Sequence, residues 1–546
     1  MTDARVDYLI KRQNQMETIK MPWLNVWQQL SDYILPKRSD FTGTSINTTQ
    51  GRVKSEKIFD GTPVWANEQL ASGLHGALTD PTKRWFDLTL DDPKIAKATD
   101  VKKWLGEVSD LIYGVFNSPS TFFSQQIHEL YLDIGAFGTA AMAIDEDFKT
   151  VCRFQTYHLN EVYCMESARG IIDSVNRKFS YTLRQAVQRY GNALPPKLLT
   201  AYNEGKDMDK EFEFLHCILP REEMKVGKVG ATNMPYASYT IMPSEKFMVN
   251  ESGFMEMPIK IPRWSKITGE TFGRGPGMTC LPDIKMLNEM MKMIIKAAQK
   301  VVDPPLMVPD DGFLLPIVTY PGGLNFYSNT GGGTNPDLIK ALDTKGKINI
   351  GFDLLEQRQN HVLKCFYVDW LQLREGPEMT ATEVLQRTEE RMRLMSPMVG
   401  RLQSELLGPM IERVFSILLR QRRIPQPPAA LRGQEVKIRY ISPIARAQKM
   451  SQVMAVERLL QAATPLMTLK PEMIDRFDGD GIVDWLTDLF DAPVQILTNN
   501  EKVKQIRAAR EQAAQDEVDK TDMERTAQGM RNVAPLLKVM QGGQGV

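Results

Sequence analysis

The chain has 546 residues, 42% hydrophobic and 25% charged, an ordinary globular composition in which most of the length can bury a core across roughly three or four folding units. Lys plus Arg and Asp plus Glu number 67 each, so the formal net charge is zero, which excludes a protein gripping DNA along one strongly basic groove. Five scattered cysteines without a CxxC pair argue against a disulfide framework or structural zinc, and no apolar run approaches the roughly 20 residues of a membrane span; with a charged N-terminus (MTDARVDYLIKR), the chain reads as soluble and cytosolic.

The first third reads as helical. Apolar residues recur at helical spacing from Asp7 to Leu35, with a break predicted near Pro22 and a stop at Pro36. A polar loop over Ser39–Gly51 follows, then helical patterns at Ser55–Leu78, Asp100–Phe116 and Ser120–Ala143, with Ser118-Pro119-Ser120 supplying a stop and a cap. From Met142 the period changes to two. Strands are predicted at Met142–Ile144, Val151–Thr156, Val162–Met165, Ile171–Tyr181, Phe212–Leu219, Ser238–Pro243 and Lys246–Val249, interrupted by short helices at Leu183–Tyr190 and Pro196–Asn203. An antiparallel sheet beside helices makes the fold class α+β, mainly helical.

The segment FGRGPG, Phe272–Gly277, has a glycine-rich look, but its spacing is not that of a dinucleotide fingerprint and no βαβ unit surrounds it. It reads as a flexible turn into a helix over Pro282–Val302. That helix is apolar over more than half its circumference, through Met286, Leu287, Met290, Met291, Met293, Ile294, Ile295, Ala297, Ala298 and Val301. Such a helix needs neighbours on two sides. Lys285, Asn288, Glu289, Lys292, Lys296, Gln299 and Lys300 fill the remaining stripe. A Pro/Gly-rich module with short β signals at Leu314–Tyr320, Leu324–Tyr327 and Lys347–Ile350 separates it from a second helix, Phe352–Leu373. Gly376-Pro377 breaks that helix, and Thr380 with Glu383 forms a capping box for a long one reaching Arg423, strained at Pro397 and Gly408-Pro409. A strand at Val436–Ile441 and helices at Ala445–Ala462, Gly481–Phe490 and Thr498–Asp519 complete the chain. The 30 methionines, clustered at Met278–Met293 and Met392–Met410, fit adaptable helical interfaces.

Four stretches carry a resemblance: TFGRGPGMTCLPDIKMLN (Thr271–Asn288), VVDPPLMVPDDG (Val301–Gly312), MTATEVLQRTEERMRLMSPMVGRLQSELLGPMI (Met379–Ile411) and YISPIARAQK (Tyr440–Lys449). Together with length and element order, the chain resembles the head-to-tail connecting proteins, the portals of short-tailed phages, over nearly its whole length. The resemblance implies a homo-oligomeric ring, usually of about twelve subunits, around an axial channel for double-stranded DNA. It implies a wing over 1–280, stem helices over 281–302 and 351–373, a clip over 303–350, and a tunnel loop over 374–381. A kinked helix and strand over 382–443 return to the wing, and a crown spans 444–546. The partners implied are the terminase packaging motor, tail adaptor and nozzle proteins, major capsid and scaffold proteins, and internal core proteins, with no membrane. The location implied is the portal vertex of the virion, assembled in the host cytoplasm.

The residues singled out follow from this. Lys285, Lys292, Lys296 and Lys300 share one stripe, which either lines the channel or forms a solvated outer face. Arg374, Glu375, Glu378 and Met379 would form a DNA-touching constriction, hinged at Gly376 and Pro377. Asn325, Phe326 and Tyr327 are either clip contacts for a motor or adaptor or the clip's own small core. The five histidines lack metal-site spacing, the DGDG region around Asp475–Asp484 fails the EF-hand register, and no GxxxxGK[ST] or GxSxG occurs. No catalytic residue, metal or cofactor is therefore expected. The competing classes are a packaging enzyme, such as the motor, or another virion scaffold-like component.

Overall fold

Period-two alternation between Ala141 and Phe254 produces two antiparallel sheets, and helical spacing on either side produces the helices that cover them. A computed structural model of the chain describes residues 4–38, 41, 55–92, 95, 98–222, 230–302, 306–307, 340–341, 348–371, 395–431, 436–440 and, beyond 455, short helical stretches of which 503–513 is the longest. The fold is α+β.

The larger sheet has the order β4 (Val162–Glu166), β5 (Ile172–Thr182), β6 (Glu211–Pro220), β7 (Tyr236–Met242), β8 (Phe247–Phe254). Register assigns its two faces. Phe179 pairs with Phe214, and these join Leu183, Ala186, Leu198, Met242 and Val249 in a core closed by α5 (Leu183–Tyr190) and α6 (Pro196–Asn203). One residue along, Leu215 pairs with Ile241, and with Cys217 these meet Val6 and Leu9 of α1 (Ala4–Tyr33) on the opposite face. A reciprocal capping box between Thr182 and Gln185 starts α5 directly from the end of β5.

The helix α1 does not break at Pro22. It runs unbroken to Tyr33 with Pro22 exposed on its outer side. Anchors on either side of the proline outweigh the lost backbone hydrogen bond. Trp27 is fully buried against Phe41 and Phe272. Lys20 is 1% exposed, and its ammonium donates to the carbonyls of Leu159, Asn160 and Val162 at 2.7, 2.6 and 3.0 Å. The helical pattern at Ser55–Leu78 likewise divides differently: a 3-10 turn at Ser55–Lys57, then α2 (Thr62–Leu78), started where the Asp60 carboxylate accepts the Thr62 N–H at 2.8 Å.

The strand β1 (Phe86–Leu90), which sequence patterning missed, precedes α3 (Thr99–Asn117). The helix expected to reach Ala143 is α4 (Phe123–Phe137); it ends at Gly138, in the left-handed region at φ 74°, and the chain turns at once into β2 (Ala141–Asp147). The smaller sheet has the order β3 (Val151–Tyr157), β2, β9 (Ile259–Lys260).

Two helices then form an antiparallel hairpin, α7 (Pro276–Val302) and α8 (Ile348–Cys365). Between them, β10 (Leu306–Met307) pairs with β11 (Lys340–Ala341), Leu306 opposite Ala341. Residues 348–350, expected as strand, are helical and open α8. Its C-terminal end also differs: Tyr367, at φ 57°, interrupts the helix before the short α9 (Val368–Leu371). Further on, α10 (395–402) passes through a π turn, Gln403–Leu407, into α11 (Gly408–Arg420). The strain anticipated at Gly408-Pro409 is taken up as that extra residue per turn.

The chain divides into two compact units. The elements above belong to the first, apart from the sections of β1 and α3 between Leu88 and Val108. The second consists of Leu88–Val108, Gln426–Arg439 and Ala445–Val546; β1 pairs with β12 (Val436–Tyr440) in a two-stranded sheet. Most of the expected C-terminal helices, and all but Phe41 of the loop expected at Ser39–Gly51, lie outside the described residues.

Candidate functional site

The base of the helical hairpin is fixed by glycines that sequence reading took for a flexible turn. A Cβ on Gly138 would lie 2.2 Å from the Gly275 nitrogen and 2.7 Å from the Gly273 carbonyl oxygen. A Cβ on Gly275 would lie 2.8 Å from the Gly138 Cα, and one on Gly277 would lie 2.6 Å from the Ala136 oxygen. The FGRGPG segment therefore crosses the end of α4 backbone to backbone, which only glycine permits. The Gly273 N–H donates to Thr139 Oγ1 at 2.8 Å, and the Trp264 N–H to the Gly138 carbonyl at 2.9 Å. This segment is a rigid crossing, and α7 starts within it, at Pro276, earlier than its spacing predicts.

From that crossing, the first half of α7 is embedded. Cys280, Leu281, Ile284, Leu287 and Asn288 are buried. Asn288, which helical spacing places in the polar stripe, accepts the Phe59 N–H at 2.7 Å and donates to the Lys57 carbonyl at 2.9 Å, so it locks the 55–61 turn onto the helix. From Met290 onward no described residue of α7 is buried, and Met293 (59%) and Ile295 (39%) are exposed. On α8, Leu355 and Val362 are buried while Phe352 (51%) and Leu354 (48%) face outward. The far half of the hairpin thus carries apolar side chains that a single chain leaves uncovered.

The four stripe lysines divide along the same line. Lys285 donates to Gln29 Oε1 of α1 at 2.6 Å. Lys292 pairs with Glu289 at 3.5 Å and lies 5.7 Å from the Phe59 ring centroid. Lys296 and Lys300 are exposed on the far half. The two helices are held in register by Asp283, whose carboxylate meets Arg358 at 3.1 Å and His361 at 3.3 Å. Arg374, Glu375, Gly376, Pro377, Glu378 and Met379, with Asn325, Phe326 and Tyr327, lie outside the described residues.

A second feature escaped sequence reading altogether. Arg263 is 2% exposed, and its guanidinium is shared between Glu166, the Thr271 and Gly170 carbonyls, and Glu405 in the π turn. Burial works against its charge, but the carboxylates Glu405 and Glu166 prevail and hold its pKa above the ordinary arginine value. The π turn is tied from another side as well, where the Tyr440 hydroxyl donates to the Gln403 carbonyl at 3.1 Å. Arg413, also buried, donates to the Ile144 carbonyl at 2.8 Å and reaches Glu256 at 3.2 Å, so α11 is bound to the smaller sheet. Carboxylate partners 97 to 157 positions apart leave no local spacing signal, and that is why neither arginine stood out.

Among the described residues, no three His, Cys, Asp or Glu side chains converge as metal ligands, and no helix is long and apolar enough to cross a membrane. What the arrangement offers is mechanical: a rigidly footed hairpin with an uncovered apolar end.

The comparisons with known proteins agree with one another. The sequence profile described as "Bacteriophage head to tail connecting protein" matches residues 6–497. The chain is 30% identical over 525 residues to the "Portal protein" of Salmonella phage epsilon15, covering 94% of this chain and 93% of that one. It is 28% identical over 517 residues to the "Probable portal protein" of Bordetella phage BPP-1, covering 93% and 92%. A profile match across nine-tenths of the sequence, over a helical hairpin set on a sheet-containing base, places the chain in the bacteriophage head to tail connecting protein family.

Proposed function

We propose that this chain is the portal subunit of a tailed phage, forming a ring at one capsid vertex through which the genome is packaged and ejected. The observation that carries this reading is the uncovered apolar end of the α7–α8 hairpin, in a chain aligned from end to end with portal proteins. Met293, Ile295, Phe352 and Leu354 are exposed in one copy. Identical copies side by side around an axis would cover them, since helices apolar on two sides need two neighbours.

In this reading residues 1–280 are the wing, α7 and α8 the stem, 303–350 the clip, 374–381 the tunnel loop and 444–546 the crown, in a ring of about twelve. A DNA conduit must hold the duplex centred without arresting it. Extensive phosphate neutralisation releases counterions and binds tightly, so a chain with zero net charge suits a sleeve that DNA slides through. Lys296 and Lys300, exposed on the far half of the stem, supply weak point charges that ring symmetry multiplies. Arg374, Glu375, Glu378 and Met379, hinged at Gly376 and Pro377, form the constriction. Asn325, Phe326 and Tyr327 face the terminase motor during filling and the tail adaptor and nozzle proteins afterwards. Capsid, scaffold and internal core proteins meet the wing and crown. The role is structural rather than catalytic.

The test is end-on averaging of the purified protein by electron microscopy, together with an ATP hydrolysis assay on the same sample. Annular particles with a central hole and no hydrolysis are expected. A stable monomer under all assembly conditions, or turnover of ATP, overturns the reading.

A further inference from the structure

The two side-chain contacts of Asp283 fix which residues of the hairpin face one another. Asp283 on α7 meets Arg358 and His361 on α8 at 3.1 and 3.3 Å. The helices run antiparallel, so one turn back from Asp283 and one turn forward from His361 lead in the same direction along the seam. Those steps arrive at Cys280 and Cys365, which the register therefore sets at the same level of the hairpin, close enough for each thiol to shift the other's ionisation. Cys280 is fully buried, while Cys365, the last residue of α8, is partly exposed. Cys152, Cys164 and Cys217 are buried in the sheets.

We propose that Cys280 and Cys365 are a reversible dithiol site that closes into a disulfide when the protein meets a small-molecule disulfide, clamping the embedded end of the hairpin. The inference rests on the geometry of one chain and does not depend on the ring reading.

The two sulfurs have different roles. Cys365 is the one solvent reaches, and the neighbouring Cys280 thiol lowers its pKa to about 7, against burial and with help from His361. The Cys365 sulfur beside it, with burial and the Asp283 charge, raises Cys280 far above the ordinary thiol value. The Cys365 thiolate attacks one sulfur of the external disulfide, forming a mixed disulfide and releasing one small thiolate. That leaves Cys280 without its thiolate partner. It gives up its proton to the small thiolate just released and attacks the Cys365 sulfur, expelling the second small thiolate, which solvent protonates. One external disulfide is reduced to two thiols while two protein thiols become one disulfide, so electrons and atoms balance. The product closes residues 281–364 into a covalent loop and prevents the feet of α7 and α8 from sliding past each other.

The experiment treats the purified full chain with oxidised glutathione at pH 8, blocks remaining thiols with N-ethylmaleimide, and maps the unreduced digest by mass spectrometry. The expected product is the Cys280 peptide joined to the Cys365 peptide, two hydrogens lighter than their sum and separated again by dithiothreitol. Cys152, Cys164 and Cys217 stay reduced, at least about tenfold slower to react than Cys365. In Cys280→Ser or Cys280→Ala, Cys365 accumulates the glutathione adduct, because the resolving thiol is gone. A wild-type chain that retains glutathione on Cys365 with Cys280 free, or in which neither sulfur reacts, overturns the proposal.

Discussion

Arg263 holds Glu405 through two separate contacts, Nη2 to Oε1 at 2.7 Å and Nε to Oε2 at 3.2 Å, and its own backbone N–H reaches Oε2 at 2.9 Å. This three-point grip joins the segment after β9 to the π turn between α10 and α11, while Glu166 and Lys266 complete the charge balance. The arginine is buried; the two carboxylates are only partly so.

Removing one partner of such a pair leaves a buried charge uncompensated. Arg263→Ala is expected to cost about 3–5 kcal/mol of stability, and Glu405→Gln distinctly less, because an amide still accepts from Arg263. Urea unfolding of the variants checks the order. Equal stability of Arg263→Ala and wild type would remove the π turn's anchor from the account.

The Gly138–Gly275 crossing makes a sharper prediction. Gly138→Ala meets both a positive φ and a Cβ 2.2 Å from backbone nitrogen, and is expected to cost more than about 4 kcal/mol or to abolish soluble expression. Gly191→Ala, also at positive φ but with open space around it, is expected to cost less, about 1–3 kcal/mol. Soluble yield and melting temperature of the pair separate crowding from backbone strain.

Lys20 gives a pH-dependent test. Burial lowers its pKa from 10.5 to about 7. The folded state therefore gives up a proton that the unfolded chain keeps between pH 7 and 10.5. Stability rises with pH wherever the unfolded state binds more protons. Wild type should gain on Lys20→Met through that window, by up to about 1.4 kcal/mol per pH unit, and the gap should be flat below it. At pH 7 the variant, in which three carbonyls lose the Lys20 donor while Leu159 keeps another, the Val162 N–H, is expected to be less stable by about 3 kcal/mol. Denaturant titrations at several pH values check both.

Ring assembly should depend on side chains that the single chain leaves exposed. The double variant Met293→Lys, Ile295→Lys is expected to keep the fold, within about 1 kcal/mol in a urea titration, because neither residue is buried in one copy. It should lose annular particles in light scattering and microscopy. Intact rings would show that another surface closes the oligomer.

The lysines of the far half are tested in transport. Lys296→Gln with Lys300→Gln is expected to leave rings intact and to change packaging yield by less than about tenfold, with the effect shrinking as salt rises. An effect insensitive to ionic strength would place these side chains away from the phosphates.

Much of the fold was legible in local pattern. Seven of the strands between Met142 and Phe254 and the short helices at Leu183 and Pro196 follow directly from period and turn residues. The FGRGPG segment shows the limit: its glycines were visible, but not that they face the backbone of Gly138, since close approach depends on where a remote segment lies. Pro22 shows the same limit from the other direction. Its local penalty was legible, whereas the Lys20 and Trp27 anchors that override it were not.

By itself the sequence determined the α+β alternation, the paired apolar helices and the family resemblance, because these reside in periodicity and in contiguous motifs that each residue carries with it. Only the tertiary structure decided which half of α7 is buried, that Arg263 and Arg413 are hubs, and that Cys280 lies opposite Cys365. Those are relations between distant segments, and no spacing along one chain encodes the distance between two points that folding brings together.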